Sequence, residues 1–313
     1  MSRAFVFPGQ GAQVVGMGAD LAAAYPAARA VFDEVDAALG EKLSALIWEG
    51  EQEALTLTEN AQPALMATSL AALRALEAEG MEMTAAARLV AGHSLGEYSA
   101  LAAAGALGIA DCARLLRIRG RAMQEAVPVG EGAMAALLGL DFETARAVAE
   151  EAAEGEVCQA ANDNDPAQVV VSGHKAAVER AVDLARARGA RRAVLLPVSA
   201  PFHCALMQPA AEAMAQALSE VEIRAPRVPL VANVRAEAVS DPAEIRALLV
   251  AQVTGSVRWR ESVQYMAGEG VTEIWEIGAG KALSGMVRRI DRAIACRAIG
   301  TAAEVQEAAE ALG

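Results

Sequence analysis

An α/β protein with a parallel sheet and an inserted ferredoxin-like unit is the fold the sequence predicts, on three observations. Short apolar runs alternate with longer Ala- and Leu-rich helical stretches, the order that sets strands side by side and lays helices on their faces. One such run, 88–91, passes directly into Gly92-His93-Ser94-Leu95-Gly96-Glu97-Tyr98 and then into an Ala-rich helix. Beyond Val129 the pattern changes to β-α-β-β-α-β, the split βαβ order of a ferredoxin-like unit, and it ends near Val198. The expected division is therefore a large domain of 1–128 with 199–313, and a small domain of 129–198.

The first strand covers 4–7, and the loop 8–13 follows it. Gly9 and Gly11 in that loop let backbone approach a ligand, and Gln10 and Gln13 carry amides that can donate. The residues alone fit an ordinary strand-to-helix turn equally well. Helices are expected over 18–39, 42–48 and 62–79, the last with Pro63 in its first turn, where a missing N–H costs nothing. In the glycine-flanked stretch a side chain at Gly92 or Gly96 would collide with the tight turn. Ser94 is thereby presented at a helix N-terminus, where free backbone N–H groups can stabilise an oxyanion. That combination points to a serine nucleophile.

A helix capped by Asp111 comes next and carries four arginines. Arg114, Arg117 and Arg121 recur at helical spacing and should share the wet face. Arg119 is out of phase and turns toward the apolar side, where it requires a partner; a structural ion pair and an anionic substrate both fit. In the small domain, strands are expected over 133–140, 157–161, 168–172 and 193–198, helices over 143–154 and 175–188, and a polar turn over 162–166.

Of the three histidines, His93 is beside the nucleophile and should point away from it. His174 reads as a turn or capping residue, which leaves His203, in a proline-containing loop before the 209–220 helix, as the base for Ser94. No carboxylate stands near His203 in sequence, although a distant one could complete a triad. An imidazole near its ordinary value of about 6.5 would suit that task. The remaining pattern is a strand over 228–232, helices over 242–253 and 259–269, a last parallel strand over 273–277 and a Gly-rich turn, 278–281, without Walker spacing.

Hydrophobic residues make up 54% of the chain and aromatics only 4%, so the core is built from Ala, Leu and Val. A net charge of −13 argues against nucleic acid or an anionic membrane surface as a partner, and any anionic ligand must be held by local arginines. The N-terminus lacks the apolar run of a signal peptide, and no stretch is long and uncharged enough to span a bilayer. Cys112, Cys158, Cys204 and Cys296 are scattered, as buried thiols are, with neither a zinc spacing nor a disulfide frame. A cytoplasmic protein with no metal is expected.

Several stretches together resemble the malonyl-CoA:acyl carrier protein transacylases of bacterial fatty-acid synthesis. They are Phe7-Pro8-Gly9-Gln10-Gly11-Ala12-Gln13, Gln62-Pro63-Ala64-Leu65, Gly92 to Ser99, Arg119-Gly120, Met123 to Pro128, Pro201-Phe202-His203 and Gln252 to Trp259, in family order. The resemblance implies a hydrolase-like large domain with the ferredoxin-like insert. It also implies a Ser94–His203 dyad and an oxyanion hole from the backbone N–H groups of Gln10 and Leu95. A backbone carbonyl of the segment matching Gln252 would orient the imidazole, in place of the missing acid, and Arg119 would grip the malonyl carboxylate. Phe202 would disfavour a methyl-branched donor, since related acyltransferases carry Phe here with malonyl and Ser with methylmalonyl. The implied reaction passes malonyl from malonyl-CoA to the phosphopantetheine thiol of acyl carrier protein through a malonyl-serine, with no bound cofactor and in a monomer. An acidic carrier would dock on Arg288, Arg289 and Arg292, or on Arg186, Arg188, Arg191 and Arg192. Gly255-Ser256 departs from the Asn-Pro of many members, and Ala279 from a frequent Gly-Pro-Gly turn. An esterase would share the elbow without needing Arg119, and a non-catalytic acyl-CoA module would need none of the three.

Overall fold

The computed structural model describes residues 2–198 and 200–311. In chain order the strands are β1 (Arg3–Phe7), β2 (Leu89–Gly92), β3 (Gly132–Leu138), β4 (Cys158–Asp165), β5 (Gln168–His174), β6 (Arg192–Leu195), β7 (Leu230–Val231), β8 (Ala238–Val239), β9 (Glu273–Ile277) and β10 (Ala295–Ile299). Six of them form one sheet in the order β10-β9-β1-β2-β7-β8, parallel except for the β7–β8 pair. The other four form an antiparallel sheet in the order β4-β5-β3-β6, the ferredoxin-like arrangement. The fold class is as the sequence predicts.

The central strands β1 and β2 are apolar at nearly every position because both sheet faces are covered. Phe5, Phe7 and Val90 enter the core beneath the long Thr58–Ala78 helix, while Ala4, Val6, Leu89 and Ala91 enter a second core with Trp259 and Ile274. The small sheet has its own core, built from Leu137, Val148, Val169, Val171 and Val178. No helix among the described residues is long and apolar enough to cross a membrane.

Several elements differ from expectation for identifiable reasons. The 18–39 helix is two, Ala19–Ala24 and Pro26–Leu39, because Tyr25 before proline takes an extended conformation. The helix expected from Gln62 begins at Thr58, so Pro63 lies inside it and removes the bond to the Glu59 carbonyl. Gly120 of the Ile109–Glu125 helix packs against that turn, where a Cβ would lie 2.5 Å from Glu59 Cα. That second helix is capped by Gly108, and Asp111, in its first turn, instead holds Arg114 at 2.8 Å. Strand β9 is not the last parallel strand: β10 pairs beside it, half-buried at the sheet edge, where Arg297 breaks the apolar run.

The largest difference is at Asn162-Asp163-Asn164-Asp165, which is not a turn. All four residues are buried in β4, and the chain reverses at 166–167. Each has a partner outside the small sheet. Asn162 bridges to Val257, Asp163 meets Arg260 at 2.7 Å, Asn164 meets His93 at 2.8 Å, and Asp165 meets Arg289 at 2.6 Å.

Candidate active site

Strand β2 runs into the elbow, and Ser94 takes φ 54°, a left-handed conformation that non-glycine residues adopt only under constraint. The constraint is steric. A Cβ at Gly92 would lie 2.0 Å from the Gly96 carbonyl, and one at Gly96 would lie 2.2 Å from the Phe7 carbonyl. Asn233, just past β7, laces the turn together. Its Oδ1 accepts from Ser94 N–H at 2.8 Å and its Nδ2 donates to the Gly92 carbonyl at 2.7 Å. The N–H of Ser94 is thus occupied, whereas those of Leu95 and Gln10 have no acceptor among the described residues.

Ser94 Oγ lies 2.7 Å from His203 Nε2. On the other side of the ring, Nδ1 is 2.9 Å from the Gln252 carbonyl and 3.2 Å from that of Gly255. Carbonyls only accept, so Nδ1 carries the proton and Nε2 presents its lone pair to the serine hydroxyl. Two carbonyls do the orienting that a triad acid does elsewhere. The imidazole does not keep the ordinary value expected of it. Burial, and then the Arg119 cation, push it down to about 3, so the ring stays neutral well into acid.

Arg119 is 1% exposed, on the apolar side of its helix as its phase implies. Its Nη1 donates to Gln62 Oε1 at 2.8 Å, and its Nη2 to Gln252 Oε1 at 2.8 Å and to Ser94 Oγ at 3.2 Å. Nε has no hydrogen-bond partner among the described residues. Its partners are amides and a hydroxyl, and no carboxylate forms an ion pair with it among the described residues, so the structural ion pair is not what is found. Arg117, by contrast, is not on a wet face. It is buried against Asn60 and Glu41, while Arg114 and Arg121 are exposed and paired with Asp111 and Glu59.

Gln252 ties these parts together: its Nε2 donates to the Ser94 carbonyl at 3.0 Å and to Glu97 Oε2 at 2.8 Å. Glu97 is fully buried, and burial raises its carboxyl to about 7. Phe202 is buried beside His203. Gln10 Nε2 lies 3.3 Å from Thr58 Oγ1, and Gln13 Oε1 accepts from Gly11 N–H within its own loop. Gly9 is pressed against His93, where a Cβ would lie 2.7 Å from its carbonyl oxygen, so packing and not a ligand requires that glycine. His174 ends β5 and accepts from Val157 N–H at 2.9 Å without a side-chain cap. In the basic sets Arg289 is spent on Asp165, Arg188 on Glu151 and Arg186 on Asp183.

Sequence reasoning missed Gln62, Glu97 and Asn233 as site residues. Gln62 and Glu97 lie inside stretches that stand out, and only their buried contacts reveal a role; Asn233 carries no local signal.

The description of the acyl transferase domain matches residues 4–289. The malonyl CoA-acyl carrier protein transacylase of Escherichia coli (strain K12) is 50% identical over 287 residues, covering 92% of this chain and 92% of that protein. Among solved structures, the acyl-carrier-protein-S-malonyltransferase of Bartonella henselae is 56% identical over all of both chains, with a TM-score of 0.98. A malonyl-transacylase solved in complex with its type II PKS acyl-carrier protein is 43% identical, covers 99% of this chain and 100% of that chain, and has a TM-score of 0.96. With half its residues shared across nearly its whole length, and the acyl transferase domain matched over residues 4–289, the chain belongs to the acyl transferase domain family.

Proposed function

We propose that Ser94 and His203 carry malonyl from malonyl-CoA to the phosphopantetheine thiol of acyl carrier protein, supplying the extender unit of fatty-acid synthesis. One observation carries this reading: Ser94 Oγ stands between His203 Nε2 at 2.7 Å and Arg119 Nη2 at 3.2 Å. A nucleophile with both a base and a cation at hydrogen-bond distance suits an acyl donor that is itself an anion.

His203 Nε2 takes the hydroxyl proton as Ser94 Oγ attacks the thioester carbonyl. The N–H groups of Gln10 and Leu95 receive the oxyanion. The C–S bond then breaks, Nε2 returns the proton to the coenzyme A sulfur, and a malonyl-serine ester remains. The carrier thiol gives its proton to Nε2 and its sulfur attacks that ester; the bond from Ser94 Oγ to the acyl carbon then breaks, Nε2 returns the proton to Oγ, and the malonyl group leaves as the carrier thioester. Arg119 holds the malonyl carboxylate, and Gln62 and Gln252 hold Arg119. The bound carboxylate also offsets the cation that depresses His203, so the base strengthens when the correct donor arrives. Phe202 crowds an α-methyl group. An esterase is disfavoured because water as acceptor gives a buried arginine no task.

The enzyme works as a monomer in the cytoplasm, without a bound cofactor, and 129–198 acts as a domain set into 1–128 and 199–313. The carrier docks on one of the two basic sets, at exposed residues without a carboxylate partner among the described residues: Arg288 and Arg292 in the first, or Arg191 and Arg192 in the second. Intact mass after brief exposure to malonyl-CoA tests the reaction. A malonyl adduct on the wild type, absent from Ser94→Ala and discharged by holo carrier protein, is expected. An adduct lost to water, or one persisting in Ser94→Ala, would overturn the assignment.

A further inference from the structure

The half-buried His93 is one residue from the nucleophile, yet its ring bonds Asn164, while Ser94 Oγ meets His203. Its position is set from several sides. Its N–H donates to the Phe7 carbonyl at 3.1 Å, and its carbonyl accepts from Gly96 N–H at 3.0 Å. Its ring Nε2 lies 2.8 Å from Asn164 Oδ1, and the ring packs on Trp259 with centroids 5.9 Å apart. Gly9 is pressed onto the remaining face, so closely that a Cβ would lie 2.7 Å from the His93 carbonyl oxygen and 3.1 Å from Nδ1. His93 is therefore packed against Gly9, the residue before Gln10, while its own chain continues into the Ser94–Leu95 peptide.

We propose that His93, held by Asn164 of the small sheet, is a positioning residue that sets the spacing of the oxyanion hole, a role that rests on Gln10 and Leu95 being its donors. The chemistry of the ring is consistent with a fixed part. An amide oxygen only accepts, so Nε2 carries the proton, and burial disfavours a second proton on Nδ1. The ring is then a neutral spacer of one tautomer. Asn164 is well anchored in turn, because its neighbour Asp163 donates its N–H to the Val257 carbonyl at 2.9 Å and Val257 N–H returns a bond to Ala161 at 2.8 Å. Gly255, whose carbonyl faces His203 Nδ1, is two residues before Val257. The edge of β4 thus braces the nucleophile's side of the site through His93 and the base's side through Val257.

The test compares wild type, His93→Ala, His93→Gln, Asn164→Ala and Asp165→Asn as full chains. Asp165 belongs to the same seam but touches Arg289, not the elbow, so it controls for simple loosening. Two readouts are taken: single-turnover acylation by malonyl-CoA and by acetyl-CoA, and the infrared stretch of the isotopically labelled ester carbonyl in the malonyl-serine. His93→Ala and Asn164→Ala should slow acylation by about ten- to a hundredfold for both donors, leaving their ratio unchanged. Their ester band should move to higher wavenumber or split, as hydrogen bonds to the carbonyl lengthen. His93→Gln, whose amide can still donate to Asn164, should recover part of both, and Asp165→Asn should keep the wild-type band. Wild-type bands and rates in Asn164→Ala and His93→Ala would overturn the role of His93. So would an equal shift in Asp165→Asn. If the wild-type ester band itself sits where a free ester absorbs, the oxyanion assignment fails instead, and the two failures are distinguished.

Discussion

Among the described residues Arg119 has no counter-ion at hydrogen-bond distance, and that defines the selectivity expected of the site. Two charge-assisted hydrogen bonds from a desolvated guanidinium to a carboxylate contribute about 1.5–3 kcal/mol each. Arg119→Ala should therefore lower kcat/KM for malonyl-CoA by about a hundredfold or more and leave acetyl-CoA transfer nearly unchanged, so the ratio of the two donors reads the effect. Arg119→Lys should behave almost as badly, because an ammonium cannot span Gln62, Gln252 and the substrate at once. Glu97 makes a different prediction. Its folded value of about 7 lies above the ordinary carboxylate range, so the fold binds its proton more tightly than the unfolded chain does. Its contribution to stability is complete below the unfolded value and is lost as pH rises through about 7. Glu97→Gln keeps an oxygen for Gln252 and Asn233 but cannot ionise. The melting temperature of Glu97→Gln relative to wild type should hence rise between pH 5 and pH 8; a constant difference would remove the buried-carboxylate account. His203 has the opposite sign, since its depressed value withholds stability only as pH falls from about 6.5 toward about 3, so the two effects separate by pH.

At the level of elements, the contact of the Thr58–Ala78 and Ile109–Glu125 helices decides whether Arg119 reaches Gln62. Gly120 allows that approach, and a Cβ there would lie 2.5 Å from Glu59 Cα and 2.7 Å from the Thr58 carbonyl. Both are backbone atoms that cannot rotate aside, so Gly120→Ala must push the helices apart. A stability loss of about 1–3 kcal/mol in urea unfolding is expected, with a larger KM for malonyl-CoA than for acetyl-CoA as the guanidinium is displaced. An unchanged KM ratio would mean that Arg119 is held from elsewhere. Most of these elements are legible in the sequence. The elbow is a local pattern in which glycines, strand and helix agree, and the burial of Arg119 follows from its helical phase, whereas its place in the site comes only with the family resemblance. What misleads is polar or proline content read locally. Pro63 suggests a helix start because the compensating neighbour, Gly120, is 57 positions on, and Arg117 suggests a wet face because Asn60 and Glu41 are equally remote in sequence.

Across the whole molecule, the same lesson concentrates at the seam between the two sheets. A run of Asn and Asp reads as a turn because, alone, four such side chains need water. In the fold each finds a partner on an element of the large sheet's surroundings, and none of those partners is near in sequence, so the run is a buried docking edge. Asp163 is the most demanding of the four. It is fully buried, and burial raises its carboxyl even though Arg260 grips both oxygens, at 3.0 Å each from Nε. The pair is therefore no surplus of stability in itself; it specifies how the two parts register. Removing Arg260 leaves the carboxylate buried without its ion-pair partner, a situation that costs about 3–5 kcal/mol in comparable sites. Arg260→Ala should lower unfolding stability by about that amount at pH 8, measured by urea titration. Because the stranded carboxyl would titrate higher still, acidification should return part of the loss as Asp163 takes up a proton. Arg260→Ala with Asp163→Asn, which removes the charge outright, should be more stable at pH 8 than Arg260→Ala alone. Equal stability of the two, or a deficit independent of pH, would mean that Asp163 gains its compensation from water or from another side chain, and that the seam is held chiefly by the Asn162–Val257 bridge and the Asn164–His93 bond.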